Sequence, residues 1–337
     1  NFIILYNFNT KYSNRINIAM NMKSTNYVFR FSANHRIGSG HLFHIISLYE
    51  ILFNDNDSFN FILYDCDKFA EDKLRSKNID FIIEDSLESQ IKKAYKENSK
   101  NIIINDVLNT SKEDIRMQKS NGFKVVNIED LGEGAQYADV VINALYSKIE
   151  GLDNQFVGPK YTILREEFIK NKDLVDYKKN DTVLVSFGGV DPKNISESIF
   201  NEISKTNLPF KIIQPPFRSL NIDNKNILRP PIEMAKTISK AKLVVSSMGR
   251  TVFESASLGI PIVSIAQNKR ETEHIKQYLN YINYLGEFKD LNFSDVVNKL
   301  VSIYNDTETL NTQREKLLNL VDFKGSQRIK KIIESIP

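Results

Sequence analysis

The residue best placed to do chemistry is His41, which closes the run Arg36-Ile37-Gly38-Ser39-Gly40-His41. Gly38 and Gly40 let the backbone approach a ligand closely, and a helix beginning there aims unpaired N–H groups back at the turn. Such a terminus favours phosphate or another anion. Gly38, Ser39, Gly40 and the nearby His44 are therefore candidate phosphate or substrate contacts. The positive helix end would keep the His41 imidazole neutral, the form that accepts a proton from water or a hydroxyl. Glycine is also needed at tight strand-to-helix turns for steric reasons alone, so the glycines by themselves do not decide the matter.

Two further turns have the same character. In Ser186-Phe187-Gly188-Gly189-Val190-Asp191-Pro192, either Gly188 and Gly189 approach a pyrophosphate or Asp191 or Asn194 caps the next helix. In Ser246-Ser247-Met248-Gly249-Arg250-Thr251, the backbone and hydroxyls from Ser247 through Met248, Gly249, Arg250 and Thr251 suit a nucleotide phosphate, and Glu254 suits a ribose diol. Ala266-Gln267-Asn268-Lys269-Arg270 offers amides to sugar or phosphate, with Lys269 and Arg270 equally readable as solvated. Arg165 and Glu166 either pair across a domain junction or touch substrate. His35, His41 and His44 cluster, but no carboxylate follows at the spacing of a His-Glu-x-x-His helix, so no metal is expected. The single Cys66 excludes an internal disulfide and a cysteine-based zinc site.

These residues need elements to hold them, and the sequence supplies an alternation of short apolar runs with helical spacing. Strands are expected at 27–32, 59–64, 80–83, 101–105, 123–128 and 139–143, with helices at 41–53, 67–76, 86–97 and 111–120 between most of them. The rhythm breaks at Gly158-Pro159-Lys160. A second series has strands at 182–186, 209–214, 226–229, 242–246 and 261–265, helices at 195–204, 231–240, 250–258 and 270–280, and a helical tail. Alternation of this kind builds parallel sheets with crossover helices. The expected fold is α/β, two doubly wound Rossmann-like domains facing a cleft. Its parts are an extension over 1–25, a first domain over 26–169, a linker over 170–181 and a second domain with helical tail over 182–337. Ligands of such sheets bind at the carboxyl ends of the strands.

Composition narrows the function classes. A length of 337 residues holds two ordinary domains, and a net charge of +3 gives no case for nucleic acid. No run reaches the ~18 apolar residues of a membrane span. Asn1 to Tyr6 lack the charged start and the length of a signal peptide, so a cytoplasmic location is expected. The chain opens on Asn1 rather than Met, which reads as one portion of a longer, multifunctional protein.

Taken in order, these segments resemble a known family. The set is the Arg-Ile-Gly-Ser-Gly-His turn, Tyr161-x-x-Leu164-Arg165-Glu166-Glu167-Phe168, Val185-x-Phe187-Gly188-Gly189-x-Asp191, Gly249-x-Thr251-x-x-Glu254 with Gly259-x-Pro261, and Gln267-Asn268. It is similar to the UDP-2,4-diacetamido-2,4,6-trideoxy-β-L-altropyranose hydrolases of pseudaminic acid synthesis and to related spore-coat polysaccharide biosynthesis proteins. The resemblance implies a GT-B arrangement, with nucleotide held mainly by the second domain. It implies removal of UDP from the anomeric carbon by water, without metal or cofactor. His41 would be the general base. Gly188, Gly189, Asp191 and Asn268 would contact substrate, and Ser247, Gly249, Thr251 and Glu254 the nucleotide. Two positions depart from the family pattern. His44 replaces a basic residue, and Asp106-Val107-Leu108 keeps the acid of Asp-His-Tyr without its rings. Asp106 and Arg165 remain expected substrate contacts, the sugar and the base (uridine or cytidine) stay open, and the same scaffold admits a transferase or an inactive nucleotide-sugar-binding module.

Overall fold

The computed structural model describes residues 24–83 and 86–337, so the extension expected over 1–25 lies outside the described residues except for Ser24 and Thr25. The first lobe runs β1 (Thr25–Ala33), α1 (Gly40–Leu52), β2 (Ser58–Cys66), α2 (Lys68–Arg75), α3 (Leu87–Ala94), β3 (Lys100–Asp106), α4 (Lys112–Ser120), β4 (Lys124–Ile128), β5 (Val140–Asn143) and β6 (Gln155–Val157). A short α5 (Glu166–Lys170) leads to the second lobe. That lobe runs β7 (Thr182–Ser186), α6 (Ile195–Ile203), β8 (Phe210–Ile213), β9 (Ile227–Leu228), α7 (Met234–Ile238), β10 (Ala241–Ser246), α8 (Arg250–Ser257), β11 (Ile262–Ala266), α9 (Lys269–Ile275) and β12 (Asn283–Glu287). Helices α10 (Phe293–Asn305), α11 (Thr307–Leu318) and α12 (Gly325–Glu334) close the chain. Among the described residues, no helix is long and apolar enough to cross a membrane.

Each lobe is built on a six-stranded sheet whose strand pairs are all parallel. The orders are β2-β1-β3-β4-β5-β6 and β12-β11-β10-β7-β8-β9. Strand β1 shows why such a sheet needs cover on both faces. Tyr27, Phe29 and Phe31 enter the core cluster with α1, while Val28 enters the cluster on the opposite face. Burying each such side chain contributes about 1.5–3 kcal/mol. The strand order reverses between β1 and β3 in the first sheet and between β7 and β10 in the second. These reversals open crevices at the carboxyl ends, and all three glycine turns sit there.

Several expectations change in detail. The segment 80–83 is not a strand; Ile82 makes one isolated bridge to Ile62. Strands β6 and β12 were unforeseen, being edge strands whose residues are only half-buried and carry little apolar pattern. The lobe boundary also shifts. Ile163 packs in the first core whereas Leu164 and Phe168 pack in the second, so the chain changes lobes ahead of the stretch read as linker. Helix α12 does not belong to the second lobe. Its Ile329 and Ile333, with Ile336 beyond it, complete the first core beside α1, and Lys330 Nζ donates to Ile51 O at 2.8 Å. The amphipathic pattern of the tail was legible, but the sequence does not say which lobe its apolar face covers.

Candidate active site

The first crevice joins the end of β1 to the end of β3. Asp106 ends β3 in register with Phe31, and His41 lies on the first turn of α1, eight residues beyond β1. His41 Nδ1 meets Asp106 Oδ1 in a very short hydrogen bond, and His44 Nδ1 meets Oδ2 at 3.0 Å. An ionised carboxylate only accepts, so both Nδ1 atoms carry the proton and Nε2 of His41 is the nitrogen left to accept one. The His41 side chain keeps 13% of its exposure while Asp106 keeps none. Burial opposes a charge on Asp106, but the two imidazoles outweigh it and hold the carboxyl well below the usual range. Burial and the Arg250 guanidinium push His44 down, so it stays neutral. Asp106, expected among the substrate contacts, is fully buried with both oxygens on the imidazoles and so orients the histidines from behind. Candidate ligand atoms of His41, His44 and Asp106 lie within 4.8 Å of one another. The two Nδ1 atoms are hydrogen-bonded to the carboxylate, an arrangement that can act as a base held by an acid.

The three helix starts differ in what satisfies their amides. Helix α1 has Ser39 at its N-cap with no side-chain cap bond and no acidic residue in its first turn. Helix α8, entered through Gly249, is the same in both respects. Helix α6 is already served, because buried Asp191 accepts from Ile195 N and Ser196 N at 3.0 and 2.9 Å. Asp191 is therefore a cap, the second of the two readings its turn left open. The first two termini keep free donors for an anion.

Gly38 and Gly189 bring the lobes together. A Cβ on Gly189 would lie 2.8 Å from both Gly38 Cα and Ser39 N, so the two glycine turns touch backbone to backbone. Gly38 and Gly188 both hold left-handed φ angles, +87° and +77°. Arg250 crosses from α8 to the first lobe, where Nη1 donates to Gly40 O and Cδ packs on Gly40. It is a lobe-spanning residue, not a side chain turned to its own lobe's nucleotide turn. Arg165 donates through Nε and Nη2 to Glu254 Oε1 at 2.9 and 2.8 Å, and Nη1 pairs with Glu167. Glu166 pairs with Lys170 on the surface, so the cross-junction partner is Glu254 and not Glu166. Glu254, the expected ribose contact, is buried with Oε1 in an ion pair with Arg165.

The remaining candidates divide. Ser247 and Thr251 are buried at the α8 turn. Met248 packs in the second core with Phe253 and Leu164, so its side chain is structural. Asn268 Oδ1 accepts from Glu271 N at 3.0 Å and caps α9, while the residue stays exposed at the carboxyl edge of β11. Sequence reasoning missed Glu129, at the end of β4. It is buried at φ +53° and accepts from Ala144 N and Leu145 N. Burial raises its carboxyl to about 8, so it is protonated near neutral pH. It lines a small enclosed cavity with His44, Arg250 and Glu254. The one available signal was an acid next to Asp130 after an apolar strand, which is too common to stand out.

No family model matches the chain. An uncharacterized protein of Methanocaldococcus jannaschii is 28% identical over 291 residues, covering 77% of this chain and 60% of that protein. The spore coat polysaccharide biosynthesis protein SpsG of Bacillus subtilis is 24% identical over 263 residues, covering 70% of this chain and 76% of its own length. Among solved structures, MurG of Acinetobacter baumannii superposes with a TM-score of 0.64 at 15% identity, over 92% of this chain and 99% of that one. Anabaena Alr3699/HepE in complex with UDP-glucose gives 0.59 at 10% identity, over 92% and 100%. With two facing parallel sheets and these neighbours, the architecture is the GT-B fold.

Proposed function

We propose that the chain is an enzyme of polysaccharide biosynthesis that cleaves a nucleotide-activated sugar between its lobes, with water as acceptor. The observation that carries this reading is the His41–Asp106 pair at the carboxyl edge of the first sheet, beside a helix start with unclaimed amides. The name of SpsG and the UDP-glucose bound to Alr3699/HepE support the substrate class. In this reading Nε2 of His41 takes a proton from water as its oxygen bonds to the anomeric carbon. The bond from that carbon to the diphosphate oxygen breaks, and the nucleotide leaves with the electron pair. The imidazolium that forms is stabilised by Asp106. The amides of α1 and α8 face the growing negative charge, the stabilisation that separates catalysis from mere binding. Ser39, Gly40, Ser247, Gly249 and Thr251 hold the diphosphate and ribose in the same reading.

The test is incubation with UDP- and CMP-sugars while anomeric and phosphorus NMR signals are followed. Release of nucleotide without an acceptor is expected, and His41→Ala abolishes it. Release only on addition of a hydroxyl-bearing glycan would make the enzyme a transferase. Tight nucleotide binding with no turnover, indifferent to His41→Ala, would leave a binding module.

A further inference from the structure

Arg270 is unlike the other guanidiniums of the cleft. It follows β11 at the carboxyl edge of the second sheet, and its Nη1 reaches Asn109 Oδ1 at 3.4 Å, three residues beyond Asp106 in the first lobe. Its guanidinium carbon lies 4.7 Å above the centre of the Tyr146 ring, and that ring packs at 4.2 Å on His274. Nε and Nη2 are shut off from solvent and close no hydrogen bond of good geometry, although the Tyr146 hydroxyl lies near enough to feel the guanidinium. Among the described residues, no carboxylate stands within ion-pair distance of Arg270. A charged group taken from water without a partner is costly.

The chemistry of the two unpaired nitrogens is specific. Nε and Nη2 are parallel N–H donors on one edge of the guanidinium, the edge that suits a carboxylate. Arg165 uses this same pair of nitrogens on Glu254. Tyr146, itself packed on His274, lies beneath the guanidinium and holds its plane. The position is also telling. Arg270 sits beside the loop after β3 that follows Asp106, away from the glycine turns of β1 and β7 where the two lobes touch.

We propose that the Nε/Nη2 edge of Arg270 receives a carboxylate carried by the sugar part of the substrate, so that the preferred donor is a nucleotide-linked acidic sugar. The inference rests on the nucleotide-sugar reading given above. Entry of such a group requires the lobes to part, since the edge is sealed while they are in contact.

Matched donors differing only in the carboxylate test this. Calorimetric affinities are measured for UDP, UDP-glucose, UDP-glucuronate, UDP-galactose and UDP-galacturonate on the wild type, Arg270→Gln and Arg270→Lys. In the wild type one uronate binds at least about 10-fold tighter than its neutral partner, the size of a charge-assisted hydrogen-bond pair. Arg270→Gln brings that pair to parity with UDP affinity unchanged, and Arg270→Lys restores part of the preference. Parity in the wild type overturns the proposal. So does an Arg270→Gln loss that is equal for UDP and the neutral sugars, which would make Arg270 a diphosphate ligand. If UDP itself fails to bind, the nucleotide-sugar reading falls and this one with it. UDP binding without a uronate preference overturns the acidic-sugar assignment alone.

Discussion

One carboxylate shared by two imidazoles sets the behaviour of the centre. Asp106→Asn leaves an amide with one acceptor and one donor where two acceptors stood, so one of the two histidines must change tautomer. Turnover should fall by roughly 100- to 10,000-fold with nucleotide affinity retained, read by steady-state kinetics beside calorimetry. Glu129 makes a prediction of opposite kind. Its carboxyl is raised to about 8 by burial, so the folded protein holds a proton that the unfolded chain, titrating near the ordinary value of 4.5, has lost. Stability therefore declines as pH climbs between these two values, by about 1.4 kcal/mol per pH step of one. Glu129→Gln keeps an acceptor for Ala144 N and Leu145 N and cannot ionise. Urea unfolding of this variant should show a flatter loss between pH 5 and 8 than the wild type. His41 was legible from its turn. Its tie to Asp106 was not, because 65 residues separate them and only the β1–β3 neighbourhood brings them together.

Among the elements, the three glycine turns looked alike in sequence and prove to have different tasks. The α1 and α8 starts keep their donors, while α6 is capped from within by Asp191. Chemistry at a turn depends on what else reaches its amides, which spacing does not encode. Gly189 is needed for approach: its Cα faces Gly38 and Ser39 backbone with no room for a methyl group. Gly189→Ala should force the two turns apart, costing about 1–3 kcal/mol by urea unfolding and lowering turnover more than nucleotide affinity. The parallel sheets themselves were readable because β1, β3, β7, β10 and β11 are apolar runs of a length that only a doubly covered strand explains.

For the whole molecule, the lobes are joined by side chains as well as by chain. Arg250 on Gly40, Tyr278 Oη on Ala144 O at 2.9 Å and Gln277 Nε2 on Leu145 O at 2.7 Å span the division. The last helix adds a second covalent passage. Ile333 on α12 is fully buried in the first core, so Ile333→Ala should cost about 2–5 kcal/mol, although the whole second lobe separates it in sequence from that core. Hydrogen exchange should show the loss in β1 and α1 rather than in the helices of the second lobe. If protection falls in α10 and α11 instead, the tail belongs to the lobe that precedes it.

The return of α12 has a consequence for how the protein can be made and divided. A ribosome releases the first sheet long before Ile329 and Ile333 exist, so that half waits with an uncovered apolar stripe along α1 until the whole second lobe and α12 have followed it. Neither half is a free-standing module. A cut at Ile163 leaves one piece lacking its cover and the other carrying an orphan helix.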